Sequence, residues 1–155
     1  MKLTKMWLNI NGVERIAVCD PEKDTLAALI RRMGLTGTKI GCGTGVCGSC
    51  SVILNGKVVR SCARKMKTVK NYSTVVTIEG IGAPGSLHPL QQAFITFGAV
   101  QCGFCSPGFI ISAYALLSQN IRPTREEVRG WFQKHRNICR CTGYKPIVDA
   151  VMYAA

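Results

Sequence analysis

Acidic residues are scarce in this 155-residue chain, where eight Asp and Glu stand against twenty Lys and Arg. Aromatic side chains make up only 7% of it, and histidine occurs twice. With so few aromatics there is no stacking platform for nucleic acid, despite the formal charge of +12. His88 and His135 are each isolated in the sequence, so both are expected in ordinary surface or capping roles. Long apolar runs are missing too. The most apolar stretch, Gly108 to Leu117, is about ten residues with Ser112 inside it, against the ~18–20 a spanning helix needs. No secretory start is visible: Met1-Lys2-Leu3-Thr4-Lys5 is polar, and Asn9 and Asn11-Gly12 break the apolar stretch from Met6. Arg31-Arg32 lies too deep in the chain for a twin-arginine signal. No membrane association is expected, and cytoplasmic residence is the default expectation.

Cysteine, by contrast, is abundant and ordered. Eight of the nine fall into two groups of four. The first is Cys42-x4-Cys47-x2-Cys50 with Cys62 eleven residues on; the second is Cys102-x2-Cys105 with Cys139-x-Cys141. Four thiolates are the ligand set of a [2Fe–2S] cluster, and the first spacing is the plant-type ferredoxin pattern. Two one-electron centres on one small chain read as a wire. A disulfide framework fits poorly, because the count is odd and Cys19 is left over. Structural zinc is the stronger rival, since Cys-x2-Cys pairs are ordinary zinc ligands. Against zinc, Gly41 to Cys50 carries four glycines, which suits a backbone that must bring many N–H groups close to sulfur. Two oxidised centres with four thiolates each lower the formal charge to about +8. The remaining excess is dense at Arg60, Arg64, Lys65, Lys67 and Lys70, as a solvated face or a surface for an acidic partner.

The chain has room for two small units, each marginal by core size alone. In the first, Lys5 to Ile10 and Val13 to Val18 flank the hairpin signal Asn11-Gly12, and Ser51 to Leu54 and Lys57 to Arg60 flank Asn55-Gly56. Asp24 is expected to cap a helix from Thr25 to Met33 that Gly34 closes, and Val75 to Glu79 supplies another strand. Residues 80–86, Gly-Ile-Gly-Ala-Pro-Gly-Ser, read as a linker. Four helices follow: His88 to Phe97, Pro107 to Leu117 with Ser106 as N-cap, Thr124 to Phe132 with the capping box Thr124-x-x-Glu127, and Lys145 to Tyr153. Such a bundle would clamp the second cysteine group at its helix ends. Cys19 reads as a small apolar strand residue.

Three segments carry a family resemblance: Gly41 to Ser51, Gln101-Cys102-Gly103-Phe104-Cys105-Ser106-Pro107-Gly108, and Cys139-Arg140-Cys141-Thr142-Gly143-Tyr144. Together they resemble the iron–sulfur portion of the molybdenum hydroxylases, the xanthine oxidase family. Leu87-His88-Pro89-Leu90-Gln91 and Trp131 to Asn137 look closest to bacterial aldehyde oxidoreductases.

The resemblance implies an α+β chain. Residues 1–79 would be a β-grasp ferredoxin domain, 80–86 a linker, and 87–155 a four-helix domain with pseudo-twofold symmetry. It implies one [2Fe–2S] cluster on Cys42, Cys47, Cys50 and Cys62, and a second on Cys102, Cys105, Cys139 and Cys141, the latter nearer the molybdenum. Gln101 and Cys141 match positions that touch the pterin, a molybdopterin in dinucleotide form on a large molybdenum-binding partner. An FAD subunit or a soluble acceptor would take the electrons onward. Aldehydes lead as substrates, ahead of purines, other N-heterocycles, carbon monoxide and aromatic thioesters. The substrate chemistry lies on the partner, so no catalytic residue is expected on this chain. Relatives can carry this module fused to the molybdenum region, whereas a separate small subunit is the expectation here. Gly43 and Thr44 replace an acidic residue or glutamine of many relatives, and less negative charge there should favour the reduced state. The rival from another class is a free-standing two-cluster ferredoxin, which would need neither a helical bundle nor a segment aimed at a pterin.

Overall fold

A computed structural model describes residues 3–155; Met1 and Lys2, at the polar start of the sequence, lie outside the described residues. Five strands form one sheet in the order β2-β1-β5-β3-β4. β1 (Thr4–Ile10) and β2 (Val13–Cys19) pair antiparallel, as do β3 (Ser51–Leu54) and β4 (Lys57–Arg60). Each hairpin turns on an Asn-Gly pair with both residues at positive φ, Asn11 and Gly12 in one, Asn55 and Gly56 in the other. That is the turn whose twist matches paired strands. β5 (Ser73–Val76) joins the hairpins, parallel to β1 and antiparallel to β3. This strand ends three residues earlier than the sequence suggested. Thr77 instead takes the Asn11 side chain, donating its N–H to Oδ1 at 2.8 Å, and the chain turns at Ile78–Gly80.

α1 (Leu26–Arg32) packs on the sheet through Leu26, Leu29 and Ile30, against Leu8, Ile10, Val52, Met66 and Val75. Its N-cap is Thr25, whose Oγ1 accepts from Ala28 N at 3.3 Å, and not Asp24. The Asp24 carboxylate is engaged elsewhere: it accepts from Asp20 N at 2.9 Å and from both terminal nitrogens of Arg32. The hydrogen bonds from Arg32 hold its pKa at about 2, below the ordinary carboxylate range. A carboxyl depressed in the fold adds stability above its unfolded pKa of about 3.9 and loses it as the pH falls through 2. With Arg32 half exposed, Asp24→Asn should therefore cost at most about 1 kcal/mol. The melting-temperature gap to the wild type should be full at pH 6 to 7, narrow below about pH 4 and close as the pH falls through 2. A gap independent of pH would remove the ion pair as its cause. Cys19 lies wholly buried on this core, its Sγ 3.6 Å from Met6 Sδ.

Four helices make the second layer: α2 (Pro89–Thr96), α3 (Ser106–Leu117), α4 (Arg125–Lys134) and α5 (Tyr144–Ala154). Their core is Leu90, Phe94, Phe109, Val128, Phe132, Ile147 and Val151, with the Phe109 and Phe132 rings edge to face. Ile78 and Ile81, in the segment between the layers, pack against it. All four residues of β3 are buried, because α1 covers one face of the sheet and α3 the other. Ile53 thus meets Ile111 and Ala115, with Val58, Val76 and Trp131 around them. None of the described helices is long and apolar enough to cross a membrane.

Candidate iron–sulfur sites

The loop between α1 and β3 wraps its first cysteine in backbone donors. Cys42 Sγ accepts from the N–H groups of Thr44 (3.4 Å), Val46 (3.2 Å) and Cys47 (3.4 Å). Three amides can converge there because Gly43, Gly45 and Gly48 all have positive φ. Gly41 serves differently, since a Cβ on it would lie 3.0 Å from Cys47 Sγ. A hydrogen bond from Thr44, with the surrounding amides, lowers the Cys42 pKa to about 5. Across the loop, Cys62 N–H donates to Cys50 Sγ at 3.4 Å, and the two thiols are in hydrogen-bond contact. Burial pushes Cys62 up to about 12. The basic stretch runs past Cys62 on the surface, where Lys67 pairs with Glu22 at 2.8 Å and Lys65 bonds the Lys23 carbonyl.

The second group sits where two helices begin. Cys102 and Cys105 precede α3, and Cys139 and Cys141 precede α5. Cys102 contacts Cys141, and Cys105 contacts Cys139, so each pair joins one loop to the other. Burial pushes Cys105 up to about 12. Gly143 N–H donates to Cys139 Sγ at 3.3 Å, and Cys139 N–H donates to the Tyr144 hydroxyl at 2.9 Å.

Helix caps divide the bundle. α2 and α4 each open with a capping box, His88 with Gln91 and Thr124 with Glu127. α3 and α5 open with no side-chain cap at all. The N-cap of α3 is Cys105, and Ser106 is already helical, one residue from the expected boundary. The two uncapped positive ends lie beside the thiols, where anionic sulfur held by a metal would take the place of a capping side chain. That donor set fits an iron–sulfur cluster.

Gln101 is exposed beside this group, with Nε2 3.2 Å from where a Cβ on Gly143 would stand, and Cys141 is half buried next to it. The two groups of four are neighbours. A cavity of about 360 Å³ is lined by Cys42 and Cys47 from one, by Cys102 and Cys105 from the other, and by Phe104 and Ile138. Ile138 N–H donates to Cys47 O at 3.0 Å, so one hydrogen bond links a residue of the first group to the neighbour of Cys139. A larger cavity of about 650 Å³ lies over Val46, Phe132, Ile138 and Val148, rimmed by Arg129, Arg136 and Lys145, and has no cysteine in its walls. Sequence reasoning does not single out Tyr144, Gly143 or Asn137 as site residues, although all three lie within segments that carry the resemblance.

Comparison with known proteins agrees with this layout. A family described as "2Fe-2S iron-sulfur cluster binding domain" matches residues 8–73, and one described as "[2Fe-2S] binding domain" matches residues 77–152. The aldehyde oxidoreductase of Megalodesulfovibrio gigas is 58% identical over 148 residues, covering 96% of this chain but 16% of that protein. The nicotinate dehydrogenase small FeS subunit of Eubacterium barkeri is 46% identical over 147 residues, covering 95% of this chain and 92% of that one. The crystal structure of the aldehyde oxidoreductase from Desulfovibrio desulfuricans superposes with a TM-score of 0.95 at 58% identity, over 97% of this chain and 17% of that one. The chain thus spans about a sixth of the aldehyde oxidoreductases it matches and nearly all of a small FeS subunit. It belongs to the molybdenum hydroxylase family, as that family's two-cluster iron–sulfur portion.

Proposed function

We propose that the chain carries electrons, one at a time, from a molybdenum centre on a large partner subunit or domain to a flavin or an external acceptor. Cys42, Cys47, Cys50 and Cys62 hold one [2Fe–2S] cluster; Cys102, Cys105, Cys139 and Cys141 hold the other. In the first group the Cys47 N–H donates to Cys42 Sγ and the Cys62 thiol lies against Cys50; in the second, Cys102 lies against Cys141 and Cys105 against Cys139. Each cluster, when bound, accepts a single electron, which lets a two-electron oxidation be relayed in two steps. This chain's own residues ligate, bury and hydrogen-bond the sulfurs. The observation that carries the reading is the adjacency of two complete four-thiol groups.

Aldehydes are the substrate class we favour for the partner, supported by the 58% identity to an aldehyde oxidoreductase. Residues 1–79 and 87–155 are proposed as the two units, with 80–86 between them. Purification from the native source tests the assembly. A molybdenum-containing chain of roughly 80 kDa is the expected companion, and a flavoprotein of roughly 30 kDa would identify the acceptor route. Iron–sulfur protein recovered alone, with no molybdenum chain, would favour a free-standing carrier.

Gln101 and Cys141 are proposed to face the pterin, a molybdopterin dinucleotide on that partner. An amide offers both a donor and an acceptor, which suits a pterin edge carrying both. Gln101→Leu should leave both clusters intact while slowing reduction of the inner one, followed by rapid freezing after substrate is added. An unchanged rate with unchanged cofactor content would leave Gln101 a structural role alone.

A further inference from the structure

The two layers touch, backbone against backbone, beside both cysteine groups. A Cβ added to Gly48 would stand 2.6 Å from Arg136 O, and one added to Gly108 would stand 2.5 Å from Gly48 O. Gly48 separates Cys47 from Ser49 and Cys50, while Gly108 lies in the first turn of α3, three residues after Cys105. Both present carbonyl oxygens to the same place, and like dipoles that close repel unless a donor stands between them. Asn137 supplies it. Its side chain, only 6% exposed, donates through Nδ2 to Gly48 O at 3.3 Å and to Gly108 O at 3.4 Å.

The position of Asn137 is itself fixed from behind. Arg136 turns the chain at positive φ after α4, and Asn137 N–H donates to Phe132 O at 2.9 Å. From there the chain runs directly to Ile138, whose N–H reaches Cys47 O, and to Cys139. One side chain thus ties together the loop of Cys47 and Cys50, the helix after Cys105 and the stretch of chain before Cys139.

We propose that Asn137 is a positioning residue for electron transfer between the two iron–sulfur sites. Its amide fixes the gap that the Cys47 O to Ile138 N hydrogen bond spans. The inference rests on the ligand assignment proposed above. The step itself moves one electron: the site holding Cys139 is oxidised, the site holding Cys47 is reduced, and no bond forms or breaks. The Asn137 amide spans the two carbonyls, Gly48 O and Gly108 O, that flank the ligand loops.

The test is electron paramagnetic resonance of the fully reduced chain, because the magnetic interaction between two paramagnetic sites falls steeply with their separation. The interaction is read as line splitting or as enhanced relaxation. In Asn137→Ala, unchanged iron content with both signals present and a markedly weaker interaction is the expected result. Ser51→Ala is the control. It removes a different donor to the same Gly48 carbonyl, the Ser51 hydroxyl at 2.7 Å, from within the first unit, and should leave the interaction unchanged. An unchanged interaction in Asn137→Ala overturns the proposal, as does loss of iron from one site, which would make Asn137 a support of that site. Should Asn137→Ala not fold, Asn137→Gln keeps both donors but shifts them by one methylene; the same weakening is expected, and none would overturn the proposal. Wild-type protein without iron would instead remove the ligand assignment.

Discussion

Cys139→Ala should halve the iron and acid-labile sulfide of the chain and abolish electron delivery from the partner to any acceptor. Cys139 is buried at the start of α5, in contact with Cys105, and its sulfur takes the Gly143 amide. Losing it removes one of four ligands, leaves Cys105 without its pair, and leaves the uncapped ends of α3 and α5 with no anion to face. The first cluster should survive, because its ligands lie in the sheet unit with a separate core. The expected spectrum of the reduced variant therefore holds one signal where the wild type has two. Cys47→Ala should give the complementary spectrum. Cys19→Ser should leave the iron unchanged. Stoichiometric zinc without iron in natively purified protein would falsify the assignment for both groups.

Chelating the iron should destabilise the molecule more than any single substitution outside the cysteines. Each layer is a small unit with a modest core, and structural metal sites in such domains contribute on the order of 10 kcal/mol. That rivals the whole stability of about 5–15 kcal/mol expected for a domain. Hydrogen exchange should report the loss unevenly. Amides around 41–50 and 137–143 should lose protection first, because their partners there include sulfur atoms that the metal holds in place. The two Asn-Gly hairpins, closed by strand pairing and by the Asn11 and Asn55 side chains bonded to β5 and its end, should hold longest. Uniform loss of protection would mean that the layers unfold as one unit whatever the metal does.

Short-range signals are legible in the sequence itself. Asn11-Gly12 and Asn55-Gly56 need only their own backbone preferences, and Thr124 finds Glu127 three residues on. The first group of cysteines is legible for a similar reason, since spacing in the chain survives folding when a short loop carries three of the four; the second is legible only as two local pairs, Cys102 with Cys105 and Cys139 with Cys141. Where adjacent residues offer equal local signals, tertiary partners decide. Asp24 and Thr25 can both cap a helix, and Arg32 claims the first. Ser106 resembles an N-cap, yet Cys105 occupies that position because its thiol belongs at the helix end. The meeting of Gly48, Gly108 and Asn137 is out of reach of such reasoning, because Asn137 and Gly48 lie 89 residues apart and nothing local announces the contact.

The burial of Cys19 has a practical use. Its thiol is fully enclosed beside Met6, and burial raises its pKa. If the other eight cysteines ligate iron as proposed, a folded and fully loaded chain should react with no thiol reagent. Colorimetric thiol counting then becomes a gauge of integrity: up to eight equivalents appear as the metal leaves, and the ninth only when the β-sheet core opens.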